Sequence, residues 1–213
     1  MSNAERPKVG RPVSNTPEQL LDRLIQAAVD ILNEQAADAD LSVAQLAQRA
    51  RVSKKTVYTA VASKEELIGH VIRHGAQVAT TMLDTPVADA GAARHVLASF
   101  LKDWIGFACG PQAVGIYVMA IRERSRYPAI GAAYYRSRKE HGLQQLAAWL
   151  KRMQGKHFCP AGDPVMTADL VLTMASAERQ RVLALGMDEP FPPEEQARRI
   201  DAILQFVFRE TAG

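Results

Sequence analysis

Residues suited to binding anions crowd into one stretch, residues 42–64, which reads SVAQLAQRARVSKKTVYTAVASK. It holds Arg49, Arg51, Lys54, Lys55 and Lys64 and no acid across 23 residues. Hydroxyls at Ser53, Thr56, Tyr58 and Thr59 interleave with those cations. The chain as a whole is near balance, with 26 Lys and Arg against 23 Asp and Glu and a formal charge of +3. An acid-free basic window in a nearly neutral chain is an electrostatic footprint suited to phosphates. The plain alternative is a solvated helical hairpin whose lysines only keep it soluble.

Two other groupings have residue types for metal chemistry. Glu66, His70 and His74 are spaced by four, which puts them on one helix face as a transition-metal donor set. Glu66 also stands three residues after Ser63, where it serves a capping box. His157 and Cys159 share the loop GKHFCPAGDP, but the chain has two cysteines, Cys109 and Cys159, and no CxxC. A structural zinc site is therefore poorly supported. Phosphate-loop and dinucleotide glycine motifs are absent, and no nucleophile signature occurs. The expectation is a protein that is not an enzyme, with no catalytic residue, no metal and no cofactor.

What must position the basic window is a run of short helices. Ser42 opens one with Gln45 three residues on, Ser53 opens the next, and Ser63 opens another, with Glu66 three residues on. Three N-cap serines within 22 residues mark short helices joined by tight turns. A helix-turn-helix needs a small residue where its two helices cross, and Ala47 supplies it. Leu46, Val52, Val57 and Ala60 provide an apolar lock to a third helix. The second helix must start polar or basic to enter a major groove, as Ser53, Lys54, Lys55, Thr56 and Tyr58 allow.

Upstream, residues 1–16 are polar, proline-punctuated and basic at Arg6, Lys8 and Arg11, and read as a disordered arm. Thr16, Pro17 and Gln19 begin a helix in which Leu20, Leu21, Leu24, Ile25, Ala28, Val29 and Leu32 keep helical spacing. That pattern dissolves over residues 36–40. The helix opened by Ser63 runs to about residue 81. Longer, more apolar helices follow over about 92–108, 112–124, 129–153, 164–185 and from 194 onward. No segment alternates long enough to argue for a strand. The expected fold is all-α with about nine helices: a flexible basic arm over 1–16, a helix-turn-helix domain over 17–80, and a second helical region over 81–213. No apolar run reaches the length of a membrane span and the first thirty residues lack a signal-peptide core, so no membrane partner is expected. A reduced cytoplasmic compartment is the simplest expectation.

The stretch LSVAQLAQRARVSKKTVYTAVASKEELIGHVI resembles the DNA-binding domain of TetR-family transcriptional regulators. Ala47, Val52-Ser53, Thr56-Val57-Tyr58 and the run SKEEL from Ser63 to Leu67 carry the likeness, and Gly10-Arg11-Pro12 resembles the arm many members have. The resemblance implies phosphate contacts from Ser42, Tyr58 and Lys64, and base-edge or flanking phosphate contacts from Lys54, Lys55, Thr56 and Thr59. Ser53, with Lys8 and Arg11 of the arm, completes the expected DNA-binding set. Two positions depart from the family pattern. Arg51 stands in the turn where Gly is usual, at a cost on the order of 1 kcal/mol if the backbone is left-handed. Val61 replaces a common aromatic, which predicts looser packing under Tyr58.

Residues 90–213 resemble the family's C-terminal region more weakly. The resemblance implies a cavity for a small-molecule effector and a homodimer through the last two helices, reading a palindromic double-stranded operator as a repressor. Aromatic, Met and polar types suited to such a cavity are Phe100, Trp104, Phe107, Tyr117, Met119, Tyr134, Met174 and Glu178. In the last helix Ala197, Ile200, Ile203, Leu204, Phe206, Val207 and Phe208 span a wide apolar arc, as a helix packed on both sides would. Leu170, Val171, Met174, Val182 and Leu183 are its expected neighbours. The rival reading is an architectural DNA-binding protein without an effector, with Arg122, Arg124, Arg126, Arg136, Arg138 and Lys139 as a second nucleic-acid surface.

Overall fold

Local sequence signals set most helix starts. In the computed structural model, which describes residues 16–35, 41–187 and 192–209, the Thr16 hydroxyl accepts the Gln19 N–H at 3.2 Å and the Gln19 side chain returns the bond to the Thr16 N–H at 3.0 Å. This capping box starts α1 (Pro17–Gln35). The same reciprocal box, Ser42 with Gln45, starts α2 (Val43–Arg49). Ser53 caps α3 (Lys54–Ala60) and Ser63 caps α4 (Lys64–Thr80). The Glu66 carboxylate accepts the Ala62 N–H at 2.6 Å, one residue ahead of the cap. Lys8 and Arg11 lie outside the described residues.

A 3-10 turn (Thr81–Asp84) leads to α5 (Ala90–Ala108), capped by Asp89, and α6 (Pro111–Arg122) follows after Gly110. Then α7 (Pro128–Arg138) runs through a π turn (Lys139–Leu143) into α8 (Gln144–Gly155). Likewise α9 (Pro164–Leu172) passes through a π turn (Thr173–Ala177) into α10 (Glu178–Ala184), and α11 (Pro193–Val207) closes the fold. These eleven segments form nine continuous rods with no strand among the described residues. The fold is all-α. Neither π turn is expected from the apolar spacing, which runs through both without a break.

Two apolar cores organise the rods. One gathers Leu24, Ile31, Leu46, Val57, Leu67 and Ile68 from α1–α4, and it also takes in Ile116, Met119, Ala120 and Ile130 from α6 and α7. The other joins α5, α8, α9 and α11 around Phe100, Trp104, Trp149, Leu172 and Leu204. Phe107 packs against both. The first four helices are thus seated on the second half by shared side chains rather than tethered to it. No single helix among the described residues is long and apolar enough to cross a membrane.

Candidate nucleic-acid interface and effector cavity

The turn between α2 and α3 fixes how the basic residues are displayed. After the C-cap Ala50, the Arg51 N–H bonds the Gln48 carbonyl at 3.2 Å and the Val52 N–H bonds the Ala47 carbonyl at 2.9 Å. This pair of bonds is a Schellman closure, which requires its penultimate residue to be left-handed. Arg51 takes that conformation, at φ 53°. Val57 and Val61 then turn inward and are buried, while Lys54, Lys55, Tyr58 and Thr59 face out, Tyr58 with 59% of its surface exposed. Val61, smaller than the aromatic common in the family, is itself fully enclosed.

Ser42, Tyr58 and Lys64 come together around one narrow groove, with Val61 and Leu67 at its base. The start of α2, the start of the 17-residue α4 at Lys64 and Tyr58 thus border one small cleft. The Ser42 hydroxyl donates to the Gln45 side-chain oxygen at 3.1 Å, so what this cleft can offer a phosphate is helix-start N–H groups, the Lys64 charge and the Tyr58 hydroxyl. The Ser53 and Thr56 hydroxyls bond each other at 2.8 Å, and the Ser53 oxygen also caps the Thr56 N–H. The Thr59 hydroxyl donates to the Thr56 carbonyl at 2.7 Å. Its proton is committed to the helix, so Thr59 can meet DNA only as an acceptor.

Arg49 leaves the set of cations that face outward for DNA. It forks onto Glu34 of α1, with one arm at 2.8 Å. Those hydrogen bonds hold the Glu34 carboxyl below its ordinary range and push the Arg49 guanidinium further up. The sequence window shows no acid because the neutralising one lies on another helix.

Glu66, His70 and His74 do not come together as a donor set. Glu66 and His70 approach to 3.8 Å, but the other imidazole nitrogen of His70 meets Arg73 at 3.1 Å. Burial, then Arg73, lower the His70 pKa against the opposing pull of Glu66. Among the described residues, no three His, Cys, Asp or Glu side chains are arranged to hold a metal ion, and the His157–Cys159 loop supplies no third ligand.

In the second half, Trp104, Phe107 and Tyr134 meet around a cavity of about 20 Å³, closed by Ile72, Ala108, Ala113, Ser176 and Gln180. The Trp104 indole N–H donates to the Ser176 hydroxyl at 3.3 Å. The Tyr134 hydroxyl donates to the Gln180 carbonyl oxygen at 3.1 Å, and the Gln180 amide donates to the Ala108 carbonyl at 2.8 Å. Tyr117 stacks behind Tyr134 with ring centroids 5.7 Å apart. The other expected members lie elsewhere. Phe100 is sealed in the second core and Met119 in the first. Met174 and Glu178 are on the exposed side of α9–α10, where Glu178 pairs with Arg181. Composition alone misses Ser176 and Gln180. Their one signal is a spacing of four in a helix that is otherwise apolar on that side.

Cys109 sits beside this cavity with its thiol toward the Ser176 carbonyl. Burial pushes that thiol up to about 11, so it stays protonated and a poor nucleophile near neutrality.

A family model described as the C-terminal domain of AefR-like transcriptional repressors matches residues 95–210. Among solved structures, a TetR-family transcriptional regulator from Mesorhizobium loti aligns with TM-score 0.70 and 21% identity over 91% of this chain and 96% of that one. The flavonoid-responsive regulator FrrA aligns with TM-score 0.61 and 25% identity over 89% and 95%. RolR in complex with resorcinol aligns with TM-score 0.64 and 16% identity over 92% and 91%. No curated protein sequence matches the chain.

Proposed function

Because this chain belongs to the TetR family of transcriptional regulators, we propose that it is a homodimeric repressor whose hold on a palindromic operator is set by a small, uncharged aromatic effector. The observation that carries the DNA half is the convergence of Ser42, Tyr58 and Lys64 on one groove beside the outward Lys54 and Lys55. Three groups in that groove anchor phosphates and fix register, and the exposed side of α3 then meets base edges. One such helix reads half a site, so two copies related by a two-fold axis read a palindrome.

Support for the dimer comes from apolar side chains left outside both cores. Leu170, Met174 and Phe206 are 43%, 36% and 46% exposed on α9, the following π turn and α11. Ile203, Leu204 and Val207 of α11 are used up in the chain's own core. On α11 the inward side is thus used within the protomer, and Phe206 is the large apolar side chain that stands out on the other side, among Arg198, Asp201 and Gln205.

Aromatic walls and uncharged hydrogen-bonding groups support the class of effector. Ser176, Gln180 and the Trp104 indole offer donors and acceptors but no charge with which to pair an ion. A flavonoid-responsive regulator and a resorcinol complex among the structural relatives are consistent with such a ligand. The effector would act by preferring one of two dimer arrangements and so changing the spacing of the two α3 helices.

Selection of bound duplexes from a random-sequence pool tests the DNA half. The expected product is a palindrome, recovered with wild-type protein and depleted with Lys55→Ala. Lys55→Ala should also flatten the dependence of log affinity on log salt by about 0.9 per protomer. Binding without any preferred sequence would support the architectural reading instead.

A further inference from the structure

Two spaces beside α5 share a single ring. The inner one is the 20 Å³ cavity between Trp104, Tyr134 and Gln180, room for one water at most. The outer one is an open groove of about 630 Å³ running past Val29, Gly75, Val78 and Gly106. Phe107 lines both, and no other residue does.

The ring rests on α4 because position 75 has no side chain. A Cβ built on Gly75 would fall 2.3 Å from Phe107 Cε2 and 2.7 Å from Cδ2, inside any allowed contact. On its inner side the ring meets Trp104 edge to face, with centroids 5.7 Å apart at 65°. It is partly buried and touches both apolar cores.

We infer that Phe107 is the gate of the effector cavity: an uncharged planar molecule enters from the groove, lifts the ring off Gly75 and takes its place against Trp104. This rests on the reading of the cavity given above. Size demands a moving wall, since sites that enclose small molecules have volumes of about 300–1,000 Å³ and the cavity has a small fraction of that. The other large walls are tied down. Trp104 is held by Ser176, and Tyr134 by Gln180, which is itself held by the Ala108 carbonyl. Ile72 is locked in the first core. Phe107 has no hydrogen bond to lose, so rotation about its side-chain bonds breaks no polar contact. Its departure also removes a contact between α5 and α4. Since α4 begins at Lys64, about three turns before Gly75, the gate reports on the helix whose first residue lines the phosphate groove.

Acrylamide quenching of Trp104 fluorescence tests the gate directly. The chain has two tryptophans, so Trp149→Phe in the full-length protein leaves Trp104 as sole reporter, with circular dichroism verifying the fold. Trp104 is 1% exposed, and its quenching constant should be low in that background. It should rise several-fold in Phe107→Ala, rise partially in Phe107→Leu, which retains a buried apolar side chain should the alanine variant not fold, and stay unchanged in the groove variant Val78→Ala. Wild-type quenching in a folded Phe107 variant, or an equal rise in Val78→Ala, would overturn the gate. Quenching needs no effector, so the two readings separate. A rise in Phe107→Ala, with a wild-type melting temperature indifferent to phenol and indole, leaves Phe107 as the wall of the inner space but discards the aromatic effector and, with it, the gate. Unchanged quenching, with a melting temperature raised by either compound, discards the gate and keeps the effector reading.

Discussion

Arg51 holds a left-handed backbone at φ 53°, a strain of about 1–2 kcal/mol that glycine would not carry. Glycine in turn loses about 0.5–1 kcal/mol more backbone entropy on folding. Arg51→Gly should therefore raise stability by no more than about 1.5 kcal/mol, as read by urea denaturation. The same substitution removes an exposed cation next to α3, so DNA affinity should fall, most of all at low salt. Affinity and stability moving in opposite directions would tie the strained residue to binding. A gain in stability with unchanged affinity would make it a fold residue only. Arg49, two positions earlier, looks identical in the sequence yet is bound to Glu34, 15 residues upstream on another helix. Charge within a window is legible from the sequence. Charge cancelled across a tertiary contact is not.

At the scale of elements, the helix starts were readable because each depends on residues three apart: Thr16 with Gln19, Ser42 with Gln45, Ser53 with Thr56. The π turns were not, because their cause is tertiary. Gly142 in the first π turn accommodates the Trp104 ring, and Ser176 in the second bonds the Trp104 indole. Nothing local to either helix announces a tryptophan from α5. A Cβ at Gly142 would fall 2.3 Å from Trp104 Cη2, and Trp104 is tied to Ser176 by its indole N–H. Overpacking costs about 1–3 kcal/mol, against a gain of about 0.5–1 kcal/mol from replacing glycine in a helix. Gly142→Ala should thus destabilise the protein by up to about 2.5 kcal/mol in urea melts. A stability equal to wild type would mean the π turn gives way instead. The candidate site divides in the same manner. The outward basic side of α3 was legible from charge and caps, whereas Phe100 and Met119 lie in plain core and Ser176 and Gln180 surfaced only with the fold.

For the whole molecule, the proposed function requires two copies acting as one rigid reader. Leu170 and Phe206 are exposed in the protomer, and a charge at either should disfavour the dimer at little cost to the fold. Leu170→Glu is expected to sediment as a monomer at micromolar concentration and to lose operator affinity while keeping its helical circular dichroism. A dimer that persists through both Leu170→Glu and Phe206→Glu would move the interface elsewhere. The central claim is that the dimer chooses DNA by sequence, and its most direct measure is the ratio of affinities for the selected palindrome and a scrambled duplex of equal length at near-physiological salt. The account predicts a ratio of about a thousand or more, collapsing in Lys55→Ala. A ratio near one, with binding that fades only as salt rises, would contradict it.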